Sequence, residues 1–137
     1  MARREILWKR LQHLDECLIV LYRAQKYTFE EFVSDPERYG SVERFLQLSI
    51  ESLSDMGNHI IANQELGAVE TYSDIPQLLY EAALISLEQR EVWIRMTGFR
   101  NVLVHGYLEI DREIVYRVLQ ENLPDISALR TVFAQFL

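Results

Sequence analysis

The sequence predicts an all-α fold, an antiparallel up-and-down helical bundle with four principal helices. Three observations predict it. Apolar residues recur at three- and four-residue spacing through almost all of the 137 residues, Gly and Pro number only five and three, and no window shows the alternation of a half-buried strand. With 49% of its residues apolar, the chain holds enough for one core and is too short for two, so residues 1–137 are expected to form a single domain.

The first helix is predicted from Arg4 to Gln25, because Leu7, Leu11, Leu14, Leu18 and Leu21 form one stripe at helical spacing. Trp8, Ile19, Val20 and Tyr22 are expected to widen it. From Lys26 to Gly40, four aromatic residues stand among charges and Asp35-Pro36 disfavours continued helix, which predicts a packed connection or a short helix. Ser41 is the candidate N-cap of a second long helix, with Glu43 in its first turn. Its stripe is Val42, Leu46, Ile50, Leu53, Gly57 and Ile60, and Gly57 is expected to let another backbone approach closely.

After Gly67 a polar loop leads to a third helix with Pro76 in its first turn, ending near Ile85. Ser86-Leu87-Glu88-Gln89 has the form of a capping box, so a fourth helix starts there, with Val92, Met96, Phe99 and Leu103 as its stripe. Asp111 is expected to cap a final helix with Ile114, Val118 and Leu119 on its inner face, continuing through Ile126, Leu129, Val132 and Phe133. Pro124 predicts a kink or break in it between Asn122 and Asp125.

The formal net charge is −7, the wrong sign for a protein that coats nucleic acid through a general basic surface. Any nucleic-acid contact must then be local. Charges break up the apolar residues of the N-terminus before a signal core forms, and no apolar run reaches membrane-spanning length, so a cytoplasmic protein without a membrane partner is expected. The lone Cys17 has no disulfide partner within the chain and is expected to be buried and inert.

The polar residues gather where the fourth helix ends, in Arg100-Asn101-Val102-Leu103-Val104-His105-Gly106-Tyr107. Arg100 brings a permanent forked cation, His105 an imidazole of the kind used to take and give protons, and Gly106 permits a turn before Tyr107. At about 100° per residue, Arg100, Asn101, Val104 and His105 spread over an arc of roughly 140°. Either the helix distorts near Gly106, or a second copy of the chain completes the site. Farther back, Asp55 and His59 are helical neighbours beside Asn58. The plain reading is a histidine oriented by a carboxylate; with no further ligand at metal spacing, no metal site is expected there.

The run Gly98 to Tyr107 resembles the Arg-x4-His-x-Tyr signature of HepT-type toxins, a prokaryotic branch of the HEPN superfamily. Arg44 to Glu51 running into Asp55 to Ala62 is similar to that family's second helix, and Asp111 to Tyr116 to its last. The resemblance spans residues 4 to 137, so it touches nearly every element. It implies an all-helical homodimer that acts as a metal-independent endoribonuclease without a cofactor, the toxin of a type II HEPN/MNT toxin–antitoxin pair. It implies RNA as substrate and an MntA-type nucleotidyltransferase antitoxin as partner, which transfers AMP to the signature tyrosine. Carried onto this sequence, Arg100 and His105 become the catalytic pair and Tyr107 the site of adenylylation, with Asn101 as a supporting polar residue.

The chemistry is consistent with those roles. Metal-free RNA cleavage requires a group to take the 2′-hydroxyl proton, a donor to the leaving oxygen and positive charge on the phosphate. One His per site is short of an acid and a base, and a two-fold interface would supply both. Two other readings remain. One is a non-catalytic HEPN module that binds a nucleotide or the nucleotidyltransferase, which the acidic charge favours; the other is a structural dimerisation domain.

Overall fold

The computed structural model describes residues 2–106 and 108–137 of the chain. Among them are seven helices: α1 (Ala2–Ala24), α2 (Phe29–Ser34), α3 (Pro36–Asn63), α4 (Asp74–Glu81), α5 (Leu87–His105), α6 (Arg112–Glu121) and α7 (Leu123–Ala134). The fold is all-helical, with seven helices where the sequence predicts four principal ones. The difference lies in three short helices, α2, α4 and α6, of 6, 8 and 10 residues.

In α1 the five-leucine stripe is buried, no member more than 7% exposed. Trp8 and Ile19 do not widen it. Each lies about 100° or more around the helix from the stripe's centre, and each is half exposed. Tyr22 is also partly in solvent, its hydroxyl 2.9 Å from Ser127 Oγ on α7.

Helix α3 begins five residues before the expected Ser41, which lies inside it. Asp35 is the N-cap: its backbone is extended and its carboxylate accepts the Glu37 N–H at 2.9 Å. Proline suits the first helical position because its missing N–H is one the helix would leave unpaired there. Asp35-Pro36 is therefore a start signal, and because the residue before a proline is held extended, Asp35 also ends α2 at Ser34. A true capping box, Thr28 with Glu31, starts α2 just upstream.

The pairing of α3 with its neighbours positions the candidate site. Cys17 of α1 meets Ser49, and Arg10 meets Asp55, so α1 and α3 run antiparallel. Gly57 packs against Trp93 while Glu51 pairs with Arg100, so α3 and α5 do too. A Cβ at Gly57 would stand 2.5 Å from Ile75 Cγ2 of α4 and 3.2 Å from Trp93 Cη2 of α5. The close approach is thus made by side chains, not by a backbone.

Both α3 and α4 end in the same hydrogen-bonded motif. Leu66 N–H donates to the Ile61 carbonyl and Glu65 N–H to Ala62; Leu84 N–H donates to Leu79 and Ala83 N–H to Tyr80. The residue this motif places in the left-handed region is ordinarily Gly. Here it is Glu65 (φ 53°) and Ala83 (φ 60°), which carry the Cβ penalty. This motif stops α4 at Glu81, short of Ile85. Replacing the exposed Ala83 by Gly is expected to raise stability by about 0.5–1 kcal/mol, because relief of the left-handed strain exceeds the added chain entropy; the urea midpoint reads it.

The Ser86 capping box forms at the start of α5, Ser86 accepting from Gln89 N–H at 3.1 Å and Gln89 returning the bond. Trp93, outside the predicted stripe, is fully buried and meets Phe133 of α7 edge to face at 5.9 Å. Asp111 caps α6 by accepting from Glu113 N–H at 2.9 Å. On α6 the buried residues are Val115 and Leu119, whereas Ile114 is nearly half exposed. Tyr116 fastens α6 to the start of α2 by donating to the Tyr27 carbonyl at 2.6 Å. Asn122 separates α6 from α7, with Pro124 in the first turn of α7. No helix among the described residues is long and apolar enough to cross a membrane.

Candidate functional site

Arg100 sits on α5 where that helix crosses α3. Its Nε and Nη2 donate to Glu51 Oε1 at 3.2 and 2.8 Å, and its Nη1 donates to Asn101 Oδ1 at 3.2 Å. The guanidinium also lies 5.2 Å from the ring centroid of Tyr72, in the connection between α3 and α4. A guanidinium has five N–H donors, so about two remain for a ligand after these three bonds. Arg100 is a tethered cation with donors to spare.

Glu51 is the residue that sequence reasoning did not assign a role. Forty-nine positions separate it from Arg100, and no local pattern marks the pair. Burial by itself would raise the Glu51 carboxyl, but hydrogen bonds from Arg100 and Gln47, with the charges of Arg100 and Arg44, outweigh it and leave the pKa below the ordinary glutamate value. The Arg100 and Glu51 side chains are 16% and 27% exposed, a partly buried pair rather than a surface one.

That lowering sets the sign of the pH effect. A folded-state pKa below the unfolded one means that the pair stabilises the fold above the unfolded value and loses that contribution as pH falls through the lowered value. Glu51→Gln is therefore expected to lower stability at neutral pH and to flatten the acid limb of the stability–pH curve. Chemical unfolding from pH 3 to 7 checks both; an acid limb as steep as the parent's would assign the titration to other carboxylates.

His105 is the last residue of α5 and is exposed, and its ring makes no hydrogen bond among the described residues. The helix is regular up to it. Five residues beyond Arg100, it lies about 7.5 Å farther along the axis and roughly 140° around, so one copy of α5 does not bring the two side chains together. Asn101 is exposed beside Arg100 and holds its Nη1. Gly106 closes the helix by donating to the Val102 carbonyl at 2.8 Å, at φ −105°, which other residues also adopt. What a side chain would meet there is that same carbonyl oxygen, 3.1 Å from a built Cβ. Tyr107 lies outside the described residues.

The second polar group lies along the outer side of α3. Asp55 faces Arg10 at 3.9 Å rather than orienting His59. Asn58 and Asp55 stand between two clefts: one of about 320 Å³ toward Ile6, Arg10 and His59, the other of about 300 Å³ toward Val69 and Tyr72. No group of three or more His, Cys, Asp or Glu side chains placed to hold a metal occurs among the described residues. A larger cleft of about 540 Å³ lies near the start of α3, lined by Arg23, Lys26 and Arg38 and by none of Asp55, Asn58, His59, Arg100, Asn101 or His105. Cys17 is fully buried 3.9 Å from His13 Nε2, and burial raises its thiol pKa, as suits a packed and unreactive group.

Known proteins match this chain over most of its length. The family described as "Ribonuclease HepT-like" matches residues 8–132. The mRNA nuclease HepT of Shewanella oneidensis is 35% identical over 97 residues, covering 71% of this chain and 73% of its own. Among solved structures, a toxin–antitoxin complex with AMP-PNP superposes with a TM-score of 0.89 at 27% identity, covering 96% of this chain and 98% of that one. The tri-AMPylated Shewanella oneidensis HEPN toxin in complex with MNT antitoxin superposes at 0.88 with 28% identity, covering 95% and 97%.

Proposed function

The chain belongs to the HepT-like ribonuclease family, and from that premise we propose that it is a metal-independent endoribonuclease, the cytoplasmic toxin of a HEPN/MNT pair. The whole of residues 1–137 acts as one HEPN-type domain. Arg100 and His105 are its catalytic residues, drawn from both copies of a homodimer.

The observation that carries this reading is the end of α5. Arg100 is pinned at the α3 crossing with donors to spare, while His105 stands exposed at the helix terminus. Their divergence around α5 favours a cleft built from two copies. So do Val102 and Leu108, 49% and 86% exposed on either side of His105, which a second copy would cover.

In the cleft, His105 of one copy takes the proton of a 2′-hydroxyl as that oxygen attacks the adjacent phosphorus. The partner's His105 gives a proton to the departing 5′-oxygen. The P–O5′ bond breaks, leaving a 2′,3′-cyclic phosphate and a 5′-hydroxyl. The spare N–H groups of Arg100 bear on the phosphate oxygens as negative charge builds. Asn101 steadies Arg100 through Nη1.

Silencing draws on the same geometry. The MntA-type antitoxin transfers AMP from ATP to the Tyr107 hydroxyl, releasing pyrophosphate, and the attached phosphate competes for Arg100 and His105. The solved relative described as tri-AMPylated in complex with MNT antitoxin supports that route.

The test is RNA cleavage by the protein alone in EDTA, before and after incubation with the nucleotidyltransferase and ATP, with intact-mass analysis of both samples. Cleavage in EDTA that disappears as AMP-sized increments map to Tyr107 is the expected result. Binding of the nucleotidyltransferase without cleavage by the unmodified protein would favour the non-catalytic module, to which the net charge of −7 still lends weight.

A further inference from the structure

The cleft of about 300 Å³ between α3 and the loop leading to α4 is not used by the chemistry above. Its size is at the lower end for small-molecule sites, and its walls are of two kinds. Val69, Ile75 and the ring of Tyr72 are flat or apolar, whereas Asp55, Asn58 and Glu70 place carboxylate and amide oxygens around them. Tyr72 is 47% exposed, which leaves part of its ring open to a ligand. It joins the cleft to the candidate site, because the Arg100 guanidinium lies 5.2 Å from its ring centroid.

The loop that carries Tyr72 is held in place. Asp74, at the start of α4, accepts the N–H groups of Glu70 and Thr71 at 3.0 Å each, and Ile75 N–H donates to the Tyr72 carbonyl. These bonds fix Tyr72 within two residues of a helix start. The backbone that carries the ring is thus set, and the Arg100 guanidinium is the ring's neighbour.

We infer that this cleft is a nucleobase pocket for the RNA strand, with Tyr72 as the stacking platform, seating a base while Arg100 holds the neighbouring phosphate. The inference rests on the ribonuclease reading and deepens it. Single-stranded RNA is gripped by stacking unstacked bases on aromatic side chains and by hydrogen bonds to base edges. The cleft has the ring and the edge groups, and Arg100 supplies the cation for the phosphate. The edge groups also set a preference. Asp55 uses one carboxylate oxygen toward Arg10, at 3.9 Å and largely in solvent, which leaves the other, with Glu70, to accept from an exocyclic amino group. Adenine, guanine and cytosine carry one, and uracil does not. The acidic edge also repels phosphate, which directs the backbone toward Arg100 and the base inward.

The test measures binding apart from cleavage. Fluorescent single-stranded oligoribonucleotides, namely oligo(A), oligo(U) and an abasic strand of equal length, are titrated in EDTA against His105→Ala protein and against the same protein carrying Tyr72→Ala or Tyr72→Phe. Expected are a loss of oligo(A) affinity on the order of tenfold for Tyr72→Ala, near-parent affinity for Tyr72→Phe, and weaker binding of oligo(U) and of the abasic strand by the parent. Asp55→Asn with Glu70→Gln is expected to bring the oligo(A) to oligo(U) ratio toward one. Unchanged affinity in Tyr72→Ala, an equal loss in Tyr72→Phe, or an abasic strand bound as tightly as oligo(A) overturns the pocket. Cleavage by the unmutated protein is scored separately. Cleavage with no Tyr72-dependent binding removes the pocket and keeps the ribonuclease, and Tyr72-dependent binding with no cleavage does the reverse. Absence of RNA binding by every form rejects the pocket.

Discussion

His105→Ala is expected to lower the rate of RNA cleavage by about 10²- to 10⁴-fold, the usual contribution of a positioned general acid or base, and to leave the thermal midpoint where it is. The second half of that expectation gives the first its meaning. The His105 ring is exposed at the end of α5 and makes no hydrogen bond among the described residues, so its removal opens no cavity and strands no buried partner. In a two-copy cleft the substitution removes acid and base together, which places the loss toward the upper end. Mixed dimers sharpen this: a copy carrying His105→Ala paired with an intact copy should be nearly as slow as the double variant, since each cut needs both imidazoles. Single-turnover cleavage in EDTA with calorimetry on the same samples provides the measurement. A loss below tenfold, with both proteins folded, would take His105 out of the proton transfers.

How much of the fold and the site was legible in the sequence depends on whether a feature is local. The α1 leucines, the Ser86 box and the Asp111 cap are set within one or two turns of helix, and the residues alone locate them. Asp35-Pro36 is also local, yet it carries two meanings. It can end the segment before it or start the helix after it, and only the Asp35 side chain on Glu37 N–H shows that a helix starts there. The site divides in the same way. That Arg100 and His105 diverge around α5 is a consequence of helical geometry. That Arg100 is tied to Glu51 and lies beside Tyr72 is not, because those contacts span 49 and 28 positions and exist only once α3 and its trailing loop lie against α5. Trp93 eluded the periodicity for another reason. Helix α5 is packed from more than one side, by α3 and α4 and by α7, and a helix buried on two sides has no single stripe to read.

Trp93→Ala is therefore the substitution expected to cost the fold most, about 3–5 kcal/mol by the precedent of large aromatic truncations in cores. Trp93 is the bulkiest fully buried side chain. It fills the gap left by Gly57 on one side and meets the Phe133 ring on the other. Its indole nitrogen is buried and makes no hydrogen bond among the described residues, so the loss is one of packing and cavity, with no polar partner left behind to complicate it. Domains of this size hold about 5–15 kcal/mol in total, so the variant should unfold at a much lower urea concentration while staying folded without denaturant. The same side chain sets how α5 is seated against α3, and hence where the Arg100 guanidinium reaches Glu51. In the folded variant the acid limb that depends on Glu51 should accordingly become shallower, and RNA cleavage should fall although neither Arg100 nor His105 is altered. Trp93→Phe, which keeps an aromatic ring against Phe133, should recover most of both. A stability loss below about 1 kcal/mol for Trp93→Ala would mean that the neighbours close over the gap, and the seating of α5 would then have to come from its contacts with α4.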